Sequence, residues 1–226
     1  MLAEDILVSE IPTLSENESV AQAIEWMDEF KVTHLAVAKG SNFLGLVQED
    51  YLLNIADPTE PIKNHLQNLT NTFVYENEHI FQVVKRVEEF HLSLIPVLSI
   101  KDEFVGITTV ANLMEMIADM PVVKSPGGII ILHINRTDYS LTEISKLVEN
   151  SDAKILGAFV TRNIDDYKFE LTLKLDKSNI SGIAENLEQF GYEISASYDQ
   201  TNSENDVFDN YNNLMNYLNI WKNSKA

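Results

Sequence analysis

Ser19-Val20-Ala21-Gln22-Ala23-Ile24 is echoed sixty residues later by His79-Ile80-Phe81-Gln82-Val83-Val84, and Asp28-Glu29-Phe30 by Glu88-Glu89-Phe90. The match continues as Leu35-Ala36-Val37 over Ile95-Pro96-Val97. After a one-residue insertion it resumes as Phe43-Leu44-Gly45-Leu46-Val47 over Phe104-Val105-Gly106-Ile107-Thr108. A period of this length marks a duplicated unit whose copies share a core. Within each copy, Val20, Ile24, Met27 and Phe30, or Ile80, Val84, Val87 and Phe90, recur at helical spacing between charged residues, which predicts an amphipathic helix.

The short apolar runs at residues 35–38 and 94–100 predict strands. Each is followed by a polar turn, a second strand through the aligned glycine, and a second helix, at residues 51–55 and 112–120. The predicted unit is strand, helix, strand, strand, helix, with one copy in residues 1–60 and the next in 61–120. The pattern breaks at Pro121, Pro126, Gly127 and Gly128, so residues 121–128 are expected to form a linker.

A second pattern begins at residue 129. The run Ile129-Ile130-Ile131-Leu132 predicts a strand, and residues 140–150 a helix with Leu141, Ile144, Leu147 and Val148 on one face. Residues 155–162 and 167–175 predict a hairpin whose second strand alternates Phe169, Leu171, Leu173 and Leu175 with polar residues. A helix over residues 178–190 ends at Gly191, a suitable left-handed cap, and residues 192–198 return as a strand. The order βαββαβ over residues 129–198 is the ferredoxin-like arrangement. In residues 199–226 a polar linker precedes Val207, Tyr211, Leu214, Leu218 and Trp221, whose spacing predicts a C-terminal amphipathic helix packed on this chain or on a second subunit.

The 226 residues, 45% of them apolar, can fill real cores, and the absence of cysteine excludes disulfides, thiolate metal sites and cysteine nucleophiles. A net charge of −19, with 6 Lys and Arg against 20 Asp and Glu in residues 1–120, argues against nucleic acid and membrane surfaces as partners. No run is long and apolar enough to span a bilayer, and a cytoplasmic location is expected. His34, His65, His79, His91 and His133 show no metal-ligand spacing, so no metal is expected.

The duplicated unit resembles a CBS-domain pair, most clearly in Ser93-Leu94-Ile95-Pro96-Val97 and Gly106-Ile107-Thr108-Thr109-Val110-Ala111-Asn112-Leu113. The βαββαβ segment resembles an ACT domain. The whole order is similar to acetoin-utilisation-type CBS/ACT regulatory proteins. The fold class so expected is α/β (α+β), a CBS-domain pair followed by an ACT-like domain and a C-terminal helix.

The resemblance implies a ligand cleft for each repeat and, as ligand, an adenosine-containing compound such as AMP or ATP. The ligand-binding residues it implies are Thr72, Val74, Ser93, Leu94, Pro96, Thr109 and Asn112, together with His34 from the first repeat. In the family pattern a hydroxyl and a carboxylate hold phosphate and ribose. Thr109 supplies the hydroxyl here, while Asn112 replaces the carboxylate. In the first repeat Gln48 and Tyr51 stand at these two positions, a further departure.

Two functions follow. One is a regulatory module in which a ligand in the cleft acts on the ACT-like domain. The other is a dimerisation or scaffold protein whose clefts have lost their ligands. The resemblance also implies a homodimer, and regulation implies a protein partner that the sequence does not identify. No cofactor and no catalytic residues are expected, because no nucleophile, base and orienting group can be assembled. In the ACT-like segment, the turn Asn135-Arg136-Thr137-Asp138-Tyr139-Ser140-Leu141 lacks the family's glycine, and Arg136 and Asp138 are read as solvent-facing turn residues.

Overall fold

The computed structural model describes residues 1–199, so the expected helix built on Val207 and Trp221 lies outside the described residues. The protein is of the mixed α/β class and divides into two compact units, Met1–Asp119 and the part from Met120 onward.

In the first unit the first repeat supplies α1 (Val20–Phe30), β1 (His34–Lys39), β2 (Asn42–Gln48) and α2 (Glu49–Leu52). The second supplies β3 (Val74–Tyr75), α3 (Ile80–Glu89), β4 (Leu94–Leu98), β5 (Phe104–Thr109) and α4 (Val110–Asp119). Helix α1 starts where the Ser19 hydroxyl accepts from the Gln22 N–H at 3.2 Å, and α3 where His79 Nδ1 accepts from the Phe81 N–H at 3.3 Å. Each buries one face, Val20, Ala23 and Met27 on α1 and Ile80 and Val83 on α3. Strands β1 and β2 form an antiparallel hairpin, as do β4 and β5.

Residues about sixty apart occupy equivalent places. Val74 of β3 pairs in parallel with Val97, and Leu14 makes the same parallel bridge to Val37. The leading strand expected in the first repeat is therefore reduced to that single bridge, with Leu14 bonded to Ala36 and Ala38. The segments before these positions cross over. Val8, from the start of the chain, pairs with Ile107 of the second repeat, while Thr70 pairs with Leu46 of the first.

The aligned glycines make room for this exchange. A Cβ at Gly45 would stand 2.6 Å from Leu69 Cβ, and one at Gly106 would stand 3.2 Å from Leu7 Cδ2. One core results, built from both repeats around Leu35, Leu46, Leu94 and Ile95.

The expected linker 121–128 holds a helical turn, α5 (Pro121–Lys124), with Pro121 in its first turn. Proline there has the right φ and no N–H that the helix needs, so the residue that reads as a break also starts a helix. The second unit continues as β6 (Ile129–Asn135), α6 (Leu141–Glu149), β7 (Ile155–Asn163), β8 (Lys168–Leu175), α7 (Ser181–Gln189) and β9 (Glu193–Tyr198). Its antiparallel sheet runs β7-β8-β6-β9, the ferredoxin-like order. Burial alternates along β8 as the sequence pattern requires, with Phe169, Leu171, Leu173 and Leu175 facing Ile144, Val148, Ile183 and Leu187 of the helices. Gly191, at φ +89, closes α7.

Candidate functional site

The segment exchange gives the first unit a cavity of about 470 Å³ with walls from both repeats. Ser93, just before β4, Thr109 at the end of β5, and Val110, Ala111, Asn112 and Glu115 of α4 form one side. Val8, Glu10 and Ile11 of the leading segment form another, and Phe30, Lys31 and Val32 at the end of α1 complete it. The lining mixes apolar side chains with hydroxyl, amide and charged groups, and the volume lies within the range of small-molecule sites.

Thr109 is buried and caps α4. Its hydroxyl oxygen accepts from the Asn112 N–H at 3.1 Å, and its hydroxyl donates to Asn112 Oδ1. The Val110 N–H donates to the Ser93 carbonyl at 3.1 Å, which ties the strand start to the helix start. The three groups are thus fixed relative to one another, with the Asn112 amide N–H groups left to donate.

Of the residues singled out in the sequence, Ser93, Thr109 and Asn112 come together on this cavity. Thr72, Val74, Leu94 and Pro96 are buried away from its lining: Val74 registers with Val97, Leu94 with Thr109 and Pro96 with Ile107. His34 is one step behind the wall, 4% exposed, with Nδ1 3.2 Å from Ser93 Oγ and Nε2 3.0 Å from Gln48 Nε2. The Ser93 hydroxyl also accepts from the Thr33 N–H at 3.0 Å, so Ser93 joins the two repeats. Burial lowers the His34 pKa, against the smaller opposing pull of Asp50.

Sequence reasoning missed Val8, Glu10, Ile11, Phe30, Lys31, Val32 and Glu115. Glu115 was within reach of it, since it follows Asn112 by three residues on one helix face. Residues 30–32 were as well, because they overlay residues 90–92, next to Ser93. The leading segment carries no local signal of its destination.

In the first repeat the corresponding positions are filled by protein. Gln48 is turned to His34. The Tyr51 ring meets His65 edge to face at 5.8 Å; its hydroxyl lies 3.0 Å from His65 Nδ1 and accepts from Asn68 Nδ2 at 2.6 Å.

The second unit has a cavity of its own, about 490 Å³, between α6 and the turn after α7. Its polar lining includes Asn135, Asp138, Glu143, Lys146 and Tyr192. Arg136 is turned away from that lining and braces the neighbouring hairpin, donating to Asn163 Oδ1 at 2.6 Å and to the Asp166 carbonyl at 3.2 Å.

Among the described residues no group of His, Asp and Glu could hold a metal ion, and no helix is long and apolar enough to cross a membrane. No family model matches the chain. Solved structures similar to it include a CBS domain pair/ACT domain protein from Thermotoga maritima, at 19% identity over 53% of this chain and 98% of that one, with a TM-score of 0.47. Others are the CBS domains of a transcriptional regulator from Streptococcus pneumoniae, at 17% identity, 51% and 98% coverage and a TM-score of 0.44, and the cytosolic domain of the Mg2+ channel MgtE in complex with ATP, at 16% identity, 51% and 48% coverage and a TM-score of 0.43.

Proposed function

We propose that this protein is a regulatory ligand sensor that binds an adenosine-containing compound in the cavity of the second repeat and has no catalytic role. The observation that carries the reading is the meeting of Ser93, Thr109 and Asn112 with the apolar side chains of Val8, Ile11, Phe30 and Val32 around one cavity. Amide and hydroxyl groups beside an apolar slot suit a ribose and a base. In this reading α4, which lines the cavity, leads through Pro121–Lys124 into the ACT-like unit and relays occupancy to it, and the chain acts as a homodimer.

A second reading, a scaffold without ligands, is favoured by Tyr51, which fills the first-repeat position, and by the Thr109 hydroxyl, which already has a partner in Asn112. A thermal-shift titration with adenosine, AMP, ADP, ATP, S-adenosylmethionine and amino acids separates the two. A compound at a hundred times its dissociation constant adds about 2.7 kcal/mol of stability. The sensor predicts such a gain with an adenosine compound. Thr109→Ser should keep it, and Thr109→Ala should lose it along with about 1 kcal/mol of helix capping. No gain with any compound, in folded protein, selects the scaffold.

A further inference from the structure

Resting on the reading that the second-repeat cavity holds a nucleoside, we infer that it selects one without phosphate, a neutral or cationic adenosine compound. The charged groups on its walls are Glu10, Glu115 and Lys31. The Lys31 ammonium is shared with the Asp28 carboxylate, 2.8 Å away in an exposed pair. Among the described residues neither Glu10 nor Glu115 has a hydrogen-bonding or ion-pair partner for its carboxylate.

A free helix N-terminus offers N–H groups to phosphate; at the start of α4 two of these are taken, the Val110 N–H by the Ser93 carbonyl and the Asn112 N–H by the Thr109 hydroxyl. Asn112 and Glu115 also line a second cavity, of about 400 Å³, with Asp5, Leu7, Met116 and Asp119. The Asp5 carboxylate there accepts from the Leu2 N–H at 2.8 Å and lies 3.7 Å from the Met1 ammonium, so the carboxylates left to face a ligand in the groove are Glu10 and Glu115. A phosphate chain extending along it meets carboxylates, whereas an ammonium or sulfonium meets counter-charges.

Calorimetric titration of the full chain with adenosine, S-adenosylmethionine, AMP and ATP, without divalent cations, tests the selection. Adenosine and S-adenosylmethionine are expected to bind at least about tenfold more tightly than AMP and ATP, a difference of about 1.4 kcal/mol. Salt at about 0.5 M should narrow the gap. Glu10→Gln and Glu115→Gln, both exposed and so tolerated by the fold, should each improve AMP and ATP relative to adenosine. AMP or ATP binding the unsubstituted chain as tightly as adenosine overturns the selection and leaves the nucleoside reading standing. Failure of all four compounds to bind both that chain and the chain carrying Glu10→Gln and Glu115→Gln together overturns the nucleoside reading itself.

Discussion

His34 is held between the repeats by Ser93, Thr33 and Gln48, and desolvation keeps its imidazole below the ordinary histidine range. The unfolded chain, with a value of about 6.5, takes up this proton at a higher pH than the folded chain does. Stability tied to the neutral ring is therefore complete above about pH 6.5 and declines as the pH falls toward the folded value. Between about pH 7 and about pH 5.5 the urea midpoint of the unsubstituted protein should drop further than that of His34→Gln, which has no proton to gain there. Equal slopes would show that the ring is not desolvated. The sequence offered His34 as a cleft-lining residue because of its position in the repeat. Its actual place, one layer behind Ser93, depends on how the two copies meet, which no single strand encodes.

At the scale of elements, the two aligned glycines look interchangeable in the sequence, yet they are not under the same constraint. Gly45 has φ +143, and its missing Cβ faces the Cβ of Leu69, close to the backbone; Gly106 faces only the far end of the flexible Leu7 side chain. Gly45→Ala should cost about 1–3 kcal/mol and Gly106→Ala under about 1 kcal/mol, read from urea denaturation. A similar loss in both would mean that the two crossings are equally tight.

The helices of both units and the alternation of β8 were legible because their signals are periodic and local. The shortening of the first leading strand to a bridge at Leu14 was not, nor was the helical turn at Pro121–Lys124, since both turn on what one or two residues find to pair with. The site divides the same way. Thr109 and Asn112 were readable as neighbours on one helix, whereas Val8, Glu10 and Ile11 reach the cavity only through pairing with a strand about a hundred residues later.

For the molecule as a whole, each unit has a buried core of its own, with Leu35, Leu46, Leu94 and Ile95 in one cluster and Ile130, Leu132 and Leu173 in the other. Expressed alone, residues 1–119 should unfold in one cooperative transition monitored by circular dichroism. A sloping, non-cooperative melt would show that the first unit needs the second. Within that unit, crossing of the leading segments also sets an order of events during synthesis. As the chain leaves the ribosome, β2 must wait for Thr70 to appear before its outer edge is paired. The second repeat finds its partner, Val8, already made before any of its own strands has emerged. The cavity cannot close until Glu115 is out, so translation runs through almost the whole unit before there is anything for a ligand to hold, and a nascent chain stalled between Thr70 and β5 carries a paired first hairpin beside an unfinished second sheet.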